Sequence, residues 1–255
     1  GRVDLTKTGT LTFEPGGENA GELAEDFAGI KEPVGVHVWQ LAEISETGAY
    51  TVNREFSGLS IRDDAWDEVK DEAMALVYGG DDPTVEPLIR ETASGTLADG
   101  LTGLPLGLYL VVIDPACSDT REYTFNPMIV SLPWTEYRMG GSGSDTWQYT
   151  LNATLKAAVN PRYGDLRIVK TLASQNISQG DATFVFDIEG KDPNGTVVYS
   201  NVVSATFSEA GRQEILVTRI PAGTTVTVTE VYSGANCTLT ASDNGPQVIV
   251  AEDVA

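Results

Sequence analysis

The sequence predicts an all-β protein made of two β-sandwich domains in tandem, the first of which carries a short helical insertion. Most segments alternate apolar and polar residues with a period of two, which is typical of strands that bury one face. One segment, residues 62–78, instead repeats its apolar residues at helical spacing. The chain has 255 residues, which is enough for two domains of ordinary size.

The first domain is predicted to contain six strands and one helix. The strands are expected at residues 9–13, 34–44, 50–56, 108–113, 123–133 and 147–155. The acidic stretch after Gly16 and Gly17 is expected to be a loop. The helix is expected over residues 62–78, where Asp63 and Asp64 supply an acidic first turn that suits the helix dipole. Its acidic face could hold calcium, but such a charged run is usually the solvated side, so no metal site is predicted.

A short Pro/Gly link at residues 161–164 marks the predicted domain boundary, so that the domains span residues 1–162 and 163–255. The second domain is predicted to have about seven strands at the spacing of a sandwich. They are expected at residues 166–172, 183–189, 197–207, 214–219, 225–232, 237–240 and 247–250. Asn194 and Gly195 between the second and third of these predict a hairpin turn.

Composition excludes several classes of function. Thirty-seven acidic and sixteen basic residues give a formal charge of -21, which argues against nucleic acid and anionic membranes as partners. No apolar run reaches the ~20 residues of a membrane span, and no signal peptide stands at the start. We therefore expect either an intracellular chain or a trimmed export product.

The few cysteine and histidine residues predict no metal, cofactor or nucleophilic dyad. Cys117 and Cys237 lie in different predicted domains and lack metal-ligand spacing, so we expect two unpaired or buried thiols. His37 is the single histidine and alternates with Trp39 and Leu41, which favours a structural role.

Two predicted strands of the second domain each place one ionisable residue among apolar ones. In residues 166–170, Lys170 shares a face with Leu166 and Ile168, and in residues 225–232, Glu230 lies between Val228 and Tyr232. A buried charge without a partner is costly, so the two groups are expected to pair or to neutralise. The pair is then either a buried salt bridge or a reactive site, in which a neutral amine attacks a side-chain carboxamide polarised by a protonated carboxyl.

These residues resemble those of a known family. Lys170 in a first strand and the run Val-Thr-Glu-Val-Tyr at 228–232 are similar to the lysine and the E-box glutamate of the CnaB-like, isopeptide-forming domains of Gram-positive pilins. The resemblance covers nearly all of residues 165–250 and implies an Ig-like, CnaB-like sandwich. It implies that Lys170 forms the cross-link and that Glu230 shuttles the proton.

The first domain resembles the N-terminal domain of Gram-positive shaft pilins. The likeness is carried by Gly-Leu-Pro-Leu-Gly-Leu-Tyr-Leu-Val-Val at 103–112, by Tyr-Thr-Phe-Asn-Pro-Met-Ile-Val-Ser-Leu-Pro at 123–133, and by the strand that Trp147 opens. In the pilin motif Trp-x-x-x-Val-x-Val-Tyr-Pro-Lys, sortase joins the lysine to the next subunit, and Lys156 falls at that position. The intervening residues depart from the motif, and an ordinary solvated lysine is the alternative.

The same comparison predicts no cross-link within the first domain. Glu14 stands where the reactive lysine would be, and the strand at 108–113 has no glutamate. Lys7 or Lys31 could serve in another register.

The acceptor of the cross-link is less evident in this sequence. The family carries its acceptor Asn or Asp on the last strand, and we expect the given sequence to end before that strand. Asn244 lies in a Gly-Pro turn and Asp253 at an expected frayed end, so we expect the acceptor beyond Ala255.

The resemblance implies a structural subunit of a pilus or of a wall-anchored adhesin. Such a subunit is extracellular, joins neighbouring pilins through sortase, and performs only a single-turnover autocatalytic reaction, so it is not an enzyme. The alternative is a tip adhesin for a host carbohydrate or protein receptor, which predicts an exposed aromatic cluster; Trp134, Tyr137 and Trp147 are the candidates. A hydrolase would need acid-base residues at recognisable spacing, and the sequence shows none beyond Lys170 and Glu230.

Overall fold

The computed structural model of the protein describes residues 1–28, 30, 33–138, 143–174, 180–232 and 245–255. In these residues, sixteen strands and only two α-helices form. The predicted all-β fold is therefore confirmed. No helix in the described part of the chain is both long enough and apolar enough to cross a bilayer.

The elements follow one another in a strand-rich order. The first ten strands are β1 (Gly9–Gly16), β2 (Gly35–Ile44), β3 (Tyr50–Val52), β4 (Ala93–Thr96), β5 (Leu101–Leu104), β6 (Gly107–Ile113), β7 (Ala116–Cys117), β8 (Arg121–Phe125), β9 (Met128–Leu132) and β10 (Thr150–Pro161). The remaining strands are β11 (Tyr163–Leu172), β12 (Ala182–Lys191), β13 (Val197–Phe207), β14 (Gly211–Pro221), β15 (Thr225–Tyr232) and β16 (Gln247–Val248). The helices are α1 (Ala20–Phe27) and α2 (Trp66–Tyr78).

The chain divides into two compact units. The first unit comprises Gly1–Ala116 and Tyr123–Val159, and the second comprises Cys117–Glu122 and Asn160–Ala255. The predicted link at 161–164 is short in the structure, because β10 ends at Pro161 and β11 begins at Tyr163. Cys117 falls in the second unit and is an exposed free thiol, whereas Cys237 lies outside the described residues.

The first unit is a sandwich of two sheets. One sheet has the order β5-β1-β10-β8-β7, and the other has the order β3-β2-β6-β9 with β4 added beside β2. β1 and β10 pair in parallel, so the two ends of this unit lie side by side in one sheet. Apolar residues from both sheets, such as Leu11, Tyr109 and Leu155, form the core between them.

The second face of the β2–β6 sheet is covered by α2. Trp39 and Leu110 on that face pack against Val69 and its neighbours on the helix in a second apolar cluster. The helix ends at Gly79, which adopts a left-handed conformation with φ 72°. Glycine suits this position because it has no Cβ to oppose a positive φ.

Two predictions about helices need correction. The acidic stretch expected to be a loop contains α1, in which Leu23 is fully buried in the main core. Eight residues with a single buried side chain give too weak a periodic signal to be recognised in sequence. The predicted helix over 62–78 begins only at Trp66, so Asp67 and Glu68, rather than Asp63 and Asp64, form its acidic first turn.

Two predicted strands are interrupted in the structure. The strand expected over 50–56 ends at Val52, and a short 3-10 helix occupies Arg54–Phe56. The strand expected over 123–133 is two strands, β8 and β9, which belong to different sheets. Pro127 lies between them, and proline cannot donate the hydrogen bond that a continuing strand requires.

The second unit is a smaller sandwich. Its larger sheet has the order β13-β12-β15-β16, and β11 pairs with β14 to form the smaller sheet. Phe184, Phe207 and Ile220 belong to the core between these sheets. Gly195 has φ 83° in the turn that joins β12 to β13, where the sequence predicts a hairpin. The strand predicted over 237–240 and the residue Asn244 lie outside the described residues.

We expect Leu110→Ala to destabilise the first unit by about 2–5 kcal/mol, because it leaves a cavity under α2. Leu110 is fully buried. The measurement is denaturant-induced unfolding followed by tryptophan fluorescence, since all four tryptophans lie in the first unit. The matched control is Leu88→Ala, whose side chain is 74% exposed and should change the free energy of unfolding by less than about 0.5 kcal/mol. Equal effects of the two substitutions would contradict the packing described above.

Candidate functional site

The second unit brings the two predicted ionisable residues to the interior from opposite sheets. Lys170 lies on β11 of the smaller sheet, and Glu230 lies on β15 of the larger sheet. On β11 the buried residues Leu166 and Ile168 precede Lys170 at intervals of two, so all three side chains point inward. The strand alternation therefore positions the amine and the carboxyl on facing layers of the sandwich.

The two side chains meet at hydrogen-bond distance. Lys170 Nζ donates to Glu230 Oε2 over 3.0 Å, and the side chains are only 17% and 27% exposed. Lys170 Nζ also lies 4.3 Å from the ring centroid of Phe184, which is itself buried edge-on against Phe207. The arrangement holds an amine against an aromatic face and within proton-transfer distance of a carboxyl group.

The end of the described chain lies along the same strand as Lys170. Val254 forms a parallel bridge with Asp165, and backbone hydrogen bonds join Asp253 and Ala255 to residues 165 and 167 of β11. The expectation that Asp253 is frayed is therefore wrong. This register also keeps Asp253 away from the amine: Lys170 is five positions beyond Asp165 on β11, or roughly 16 Å at about 3.3 Å per residue.

Lys156 belongs to the first unit. Lys156 is exposed on β10, opposite Gly16 of β1. On the same strand pair, Glu14 accepts a hydrogen bond of 3.0 Å from Asn152. Lys7 lies over the ring of Tyr149 at 4.6 Å, and Lys31 is outside the described residues. Among the described residues, neither Glu14 nor Lys7 forms a lysine–glutamate contact like that of the second unit.

The three aromatic residues expected to mark an adhesin surface do not form one exposed cluster. Trp134 and Trp147 are partly buried, and their indole N–H groups donate to the backbone oxygens of Thr150 and Gly1. Tyr137 alone is strongly exposed, at 72%. The two tryptophans therefore stabilise the first unit through their hydrogen bonds to its backbone.

His37 belongs to a charged cluster that sequence reasoning missed. Its Nδ1 contacts Glu91, and its Nε2 lies 3.1 Å from Asp114. These partners are 54 and 77 residues away along the chain, and no local motif links them to His37. Burial by itself lowers the pKa of His37, but the hydrogen bonds that its ring donates to Asp114 and Glu91, together with the charges of these carboxylates, outweigh burial and raise that pKa. In the described part of the chain, no group of three or more His, Cys, Asp or Glu has metal-binding geometry.

Fold and site together define a class: a protein of β-sandwich units, one of which holds an inward-facing lysine–glutamate pair between its sheets. The sequence of residues 166–255 matches the profile of a family described as a domain of unknown function, DUF5979. This match covers less than half of the chain. No curated protein matches the sequence.

Among solved structures, the chain is similar to Gram-positive major pilins. The full-length major pilin SpaD from Corynebacterium diphtheriae shares 18% identity, with a TM-score of 0.34, over 89% of this chain and 63% of that one. The chain thus spans less than two thirds of the length of SpaD. The major pilin T-13 from Streptococcus pyogenes shares 12% identity, with a TM-score of 0.25, over 97% of this chain and 95% of that one.

Glu230→Gln should lower the free energy of unfolding of the second unit by about 1–3 kcal/mol, because it leaves the Lys170 ammonium half-buried without a carboxylate. A double-mutant cycle with Lys170→Met should give a coupling energy above about 1 kcal/mol. The measurement is denaturant-induced unfolding followed by the backbone amide NMR signals of the second unit.

The control for this cycle is the exposed pair of Lys191 and Glu189, whose charged atoms lie 3.5 Å apart with both side chains about half exposed. The same cycle there should give less than about 1 kcal/mol. A coupling energy no larger than that of the exposed pair would show that Lys170 and Glu230 are solvated like surface residues.

Proposed function

We propose that this chain is a structural subunit of a Gram-positive pilus or of a wall-anchored surface adhesin, and that its second unit is stabilised by an intramolecular isopeptide bond. The observation that carries the proposal is the contact between Lys170 and Glu230 inside the sandwich, at 3.0 Å. In an ordinary sandwich core these positions would be apolar. A charged pair at this site adds little net stability over apolar residues of similar volume, which favours a chemical reason for its presence.

The proposed reaction joins the Lys170 amine to a side-chain carboxamide. The amine nitrogen attacks the carboxamide carbon while the Glu230 carboxyl, in its protonated form, donates a hydrogen bond to the carboxamide oxygen. The new C–N bond replaces the bond to the amide nitrogen. Glu230 passes its proton to that nitrogen, which leaves as ammonia, and takes a proton from the attacking nitrogen, so that the carboxyl ends as it began. Each molecule reacts once, so this is not enzymatic turnover.

The parallel register along β11 indicates where an acceptor would have to lie. Val254 pairs with Asp165, and Lys170 is five positions further along β11. In a chain that continued in the same register, the fourth residue after Ala255 would lie beside Lys170 and face inward with it. The third residue would lie beside Val169, which is 46% exposed, and would face outward. The proposed cross-link thus depends on the position of the acceptor as well as on its type.

The mass of an extended chain tests the cross-link. We expect a chain lengthened by seven strand-forming residues, with asparagine fourth, to lose about 17 Da on folding, the mass of the ammonia released. Glu230→Ala in that chain should retain the full mass, because nothing would polarise the acceptor. The measurement is intact-mass spectrometry, with peptide mapping to locate the bond at Lys170.

The matched control is an extended chain of the same composition in which asparagine is the third residue after Ala255 instead of the fourth. It should keep its full mass, since the side chain would face solvent. If the added residues show protected backbone amides along β11 and the chain with asparagine fourth still keeps its full mass, the proposed chemistry is wrong and the pair is an ion pair only.

Assembly into a polymer is the second part of the proposal. We propose that sortase joins neighbouring subunits through Lys156, which is supported by its exposure on β10 and by its place in the pilin-like motif. The subunits would then lie outside the cell, attached to the wall. The adhesin alternative keeps the same location but needs a receptor surface, and Tyr137 is the most exposed of its three aromatic candidates.

In cells that assemble the protein, Lys156→Ala should abolish the covalent ladder of high-mass polymers, because the side-chain amine that accepts the next subunit is gone. Lys7→Ala removes another exposed lysine of the first unit and should leave the ladder intact. The measurement is electrophoresis of wall extracts in denaturant. An unchanged ladder with Lys156→Ala would exclude this lysine as the linkage point.

A further inference from the structure

A cavity of about 580 Å³ lies in the first unit, beyond the end of α2. His37 and Trp39 of β2, Tyr78 at the end of the helix, and Asp114 just after β6 form one side of it. The opposite side is formed by the long connection between α2 and β4, residues 79–92, which has no helix or strand of its own. Connections of this length inside a compact unit are uncommon and are often functional.

The electrostatics of the cavity favour a positive ligand. The charged residues of its lining are three acidic ones, Glu86, Glu91 and Asp114, and two basic ones, Arg90 and His37. The carboxylates are in excess even when His37 is protonated. The C-terminal end of α2 adds the negative pole of the helix dipole, and the whole chain has a formal charge of -21, so a cation is attracted at both short and long range.

The Tyr78 hydroxyl group in the lining has no hydrogen-bond partner among the residues that the structure describes. The Tyr78 side chain lines the cavity although the residue is only 9% exposed, and no described residue hydrogen-bonds its hydroxyl group. Burial, together with the charges of Asp114 and Glu91, raises the pKa of Tyr78 to about 12. The hydroxyl therefore stays neutral and can accept a hydrogen bond from a ligand. A hydroxyl group that faces a cavity and has no partner among the described residues is free to hydrogen-bond a ligand there.

His37 contacts a carboxylate on each side of the cavity, Glu91 on the long connection and Asp114 after β6. A carboxylate can only accept hydrogen bonds, so contacts from both ring nitrogens to Glu91 and Asp114 require the doubly protonated imidazolium. The neutral ring has a single N–H and must release one of the two carboxylates. The released carboxylate then needs another cationic donor, and Asp114 is the more exposed of the two.

We propose that this cavity binds an alkylammonium group, such as the lysine side chain of a partner peptide, in competition with the proton on His37. The apolar stem of the ligand would lie along Val85 and Pro87, and its ammonium would lie between Asp114 and the Tyr78 hydroxyl. This site is separate from the Lys170–Glu230 pair, so neither proposal depends on the other.

The test uses Nα-acetyl-lysine methylamide as the probe and follows the indole N–H signal of Trp39 by NMR. The lysine side chain stays charged over the range used, because its pKa is about 10.4. We expect saturable binding that is about tenfold tighter at pH ~8.5 than at pH ~5.5, because the competing proton on His37, whose pKa the two carboxylates raise, is lost as the pH rises. The norleucine analogue, which has a similar stem and no ammonium, should not bind.

Substitutions distinguish binding of the probe in this cavity from a general attraction of the cationic probe to an acidic protein. Asp114→Asn should weaken binding at the higher pH by about tenfold, and Tyr78→Phe by a few fold. His37→Gln should bind the probe with an affinity that no longer depends on pH. Glu55→Gln removes one exposed charge of the same unit away from the cavity and should leave the affinity unchanged.

Several results would overturn the proposal. They are the absence of saturable binding at the higher pH, equal binding of the norleucine analogue, and equal loss in Glu55→Gln and Asp114→Asn. Unchanged amide spectra outside the cavity establish that each variant is folded. Should Asp114→Asn fail to fold, the comparison of Tyr78→Phe with the original chain decides, and equal affinities there reject the site.

Discussion

The hydrogen-bonded pair of Lys170 and Glu230 is the contact on which the order of the second unit depends. Lys170 is on the two-stranded sheet and Glu230 on the four-stranded sheet, so the pair is a directional link across a core that consists mainly of apolar residues. Apolar contacts are non-directional and tolerate small slips of one layer over the other. A half-buried charge does not tolerate them, because any slip that separates the two groups leaves each without its partner.

The same pair makes the second unit chemically unusual. Apolar residues would satisfy the packing, and Phe184 shows that the space around Lys170 is suited to them. The amine and carboxyl are instead held beside the edge of β11 on which Asp253 and Ala255 form backbone hydrogen bonds. The strand that carries the amine also sets the register of whatever pairs beside it, so the proposed cross-link depends on the same strand pairing as the fold.

In the first unit, the β2–β6 sheet is buried on both faces. One face packs on the partner sheet and the other on α2, which explains why β6 is buried along its whole length. Beyond the end of α2 the sheet is no longer covered by the helix, and polar residues take over at His37 and Asp114. The long return to β4 passes over this uncovered end and encloses the cavity.

Local patterns revealed much of this arrangement before the structure. Alternation placed Lys170 and Glu230 on inward faces, and it located most strands, because the period of two is a property of the extended chain itself. It failed at Pro127, where one apolar run divides between two sheets, and at α1, where Leu23 alone contacts the core. In both cases the outcome depends on which distant surface is available, which no local window contains.

By itself, therefore, the sequence determined the all-β class, the two-part organisation of strand patterns and the side of the strand on which each ionisable group lies. Only the tertiary structure decided that Lys170 meets Glu230 at 3.0 Å, that Asp253 is remote from both, and that His37 joins two carboxylates from other segments. The reason is physical: the direction of a side chain follows from local backbone geometry, whereas its partner follows from sheet pairing between residues far apart in the chain.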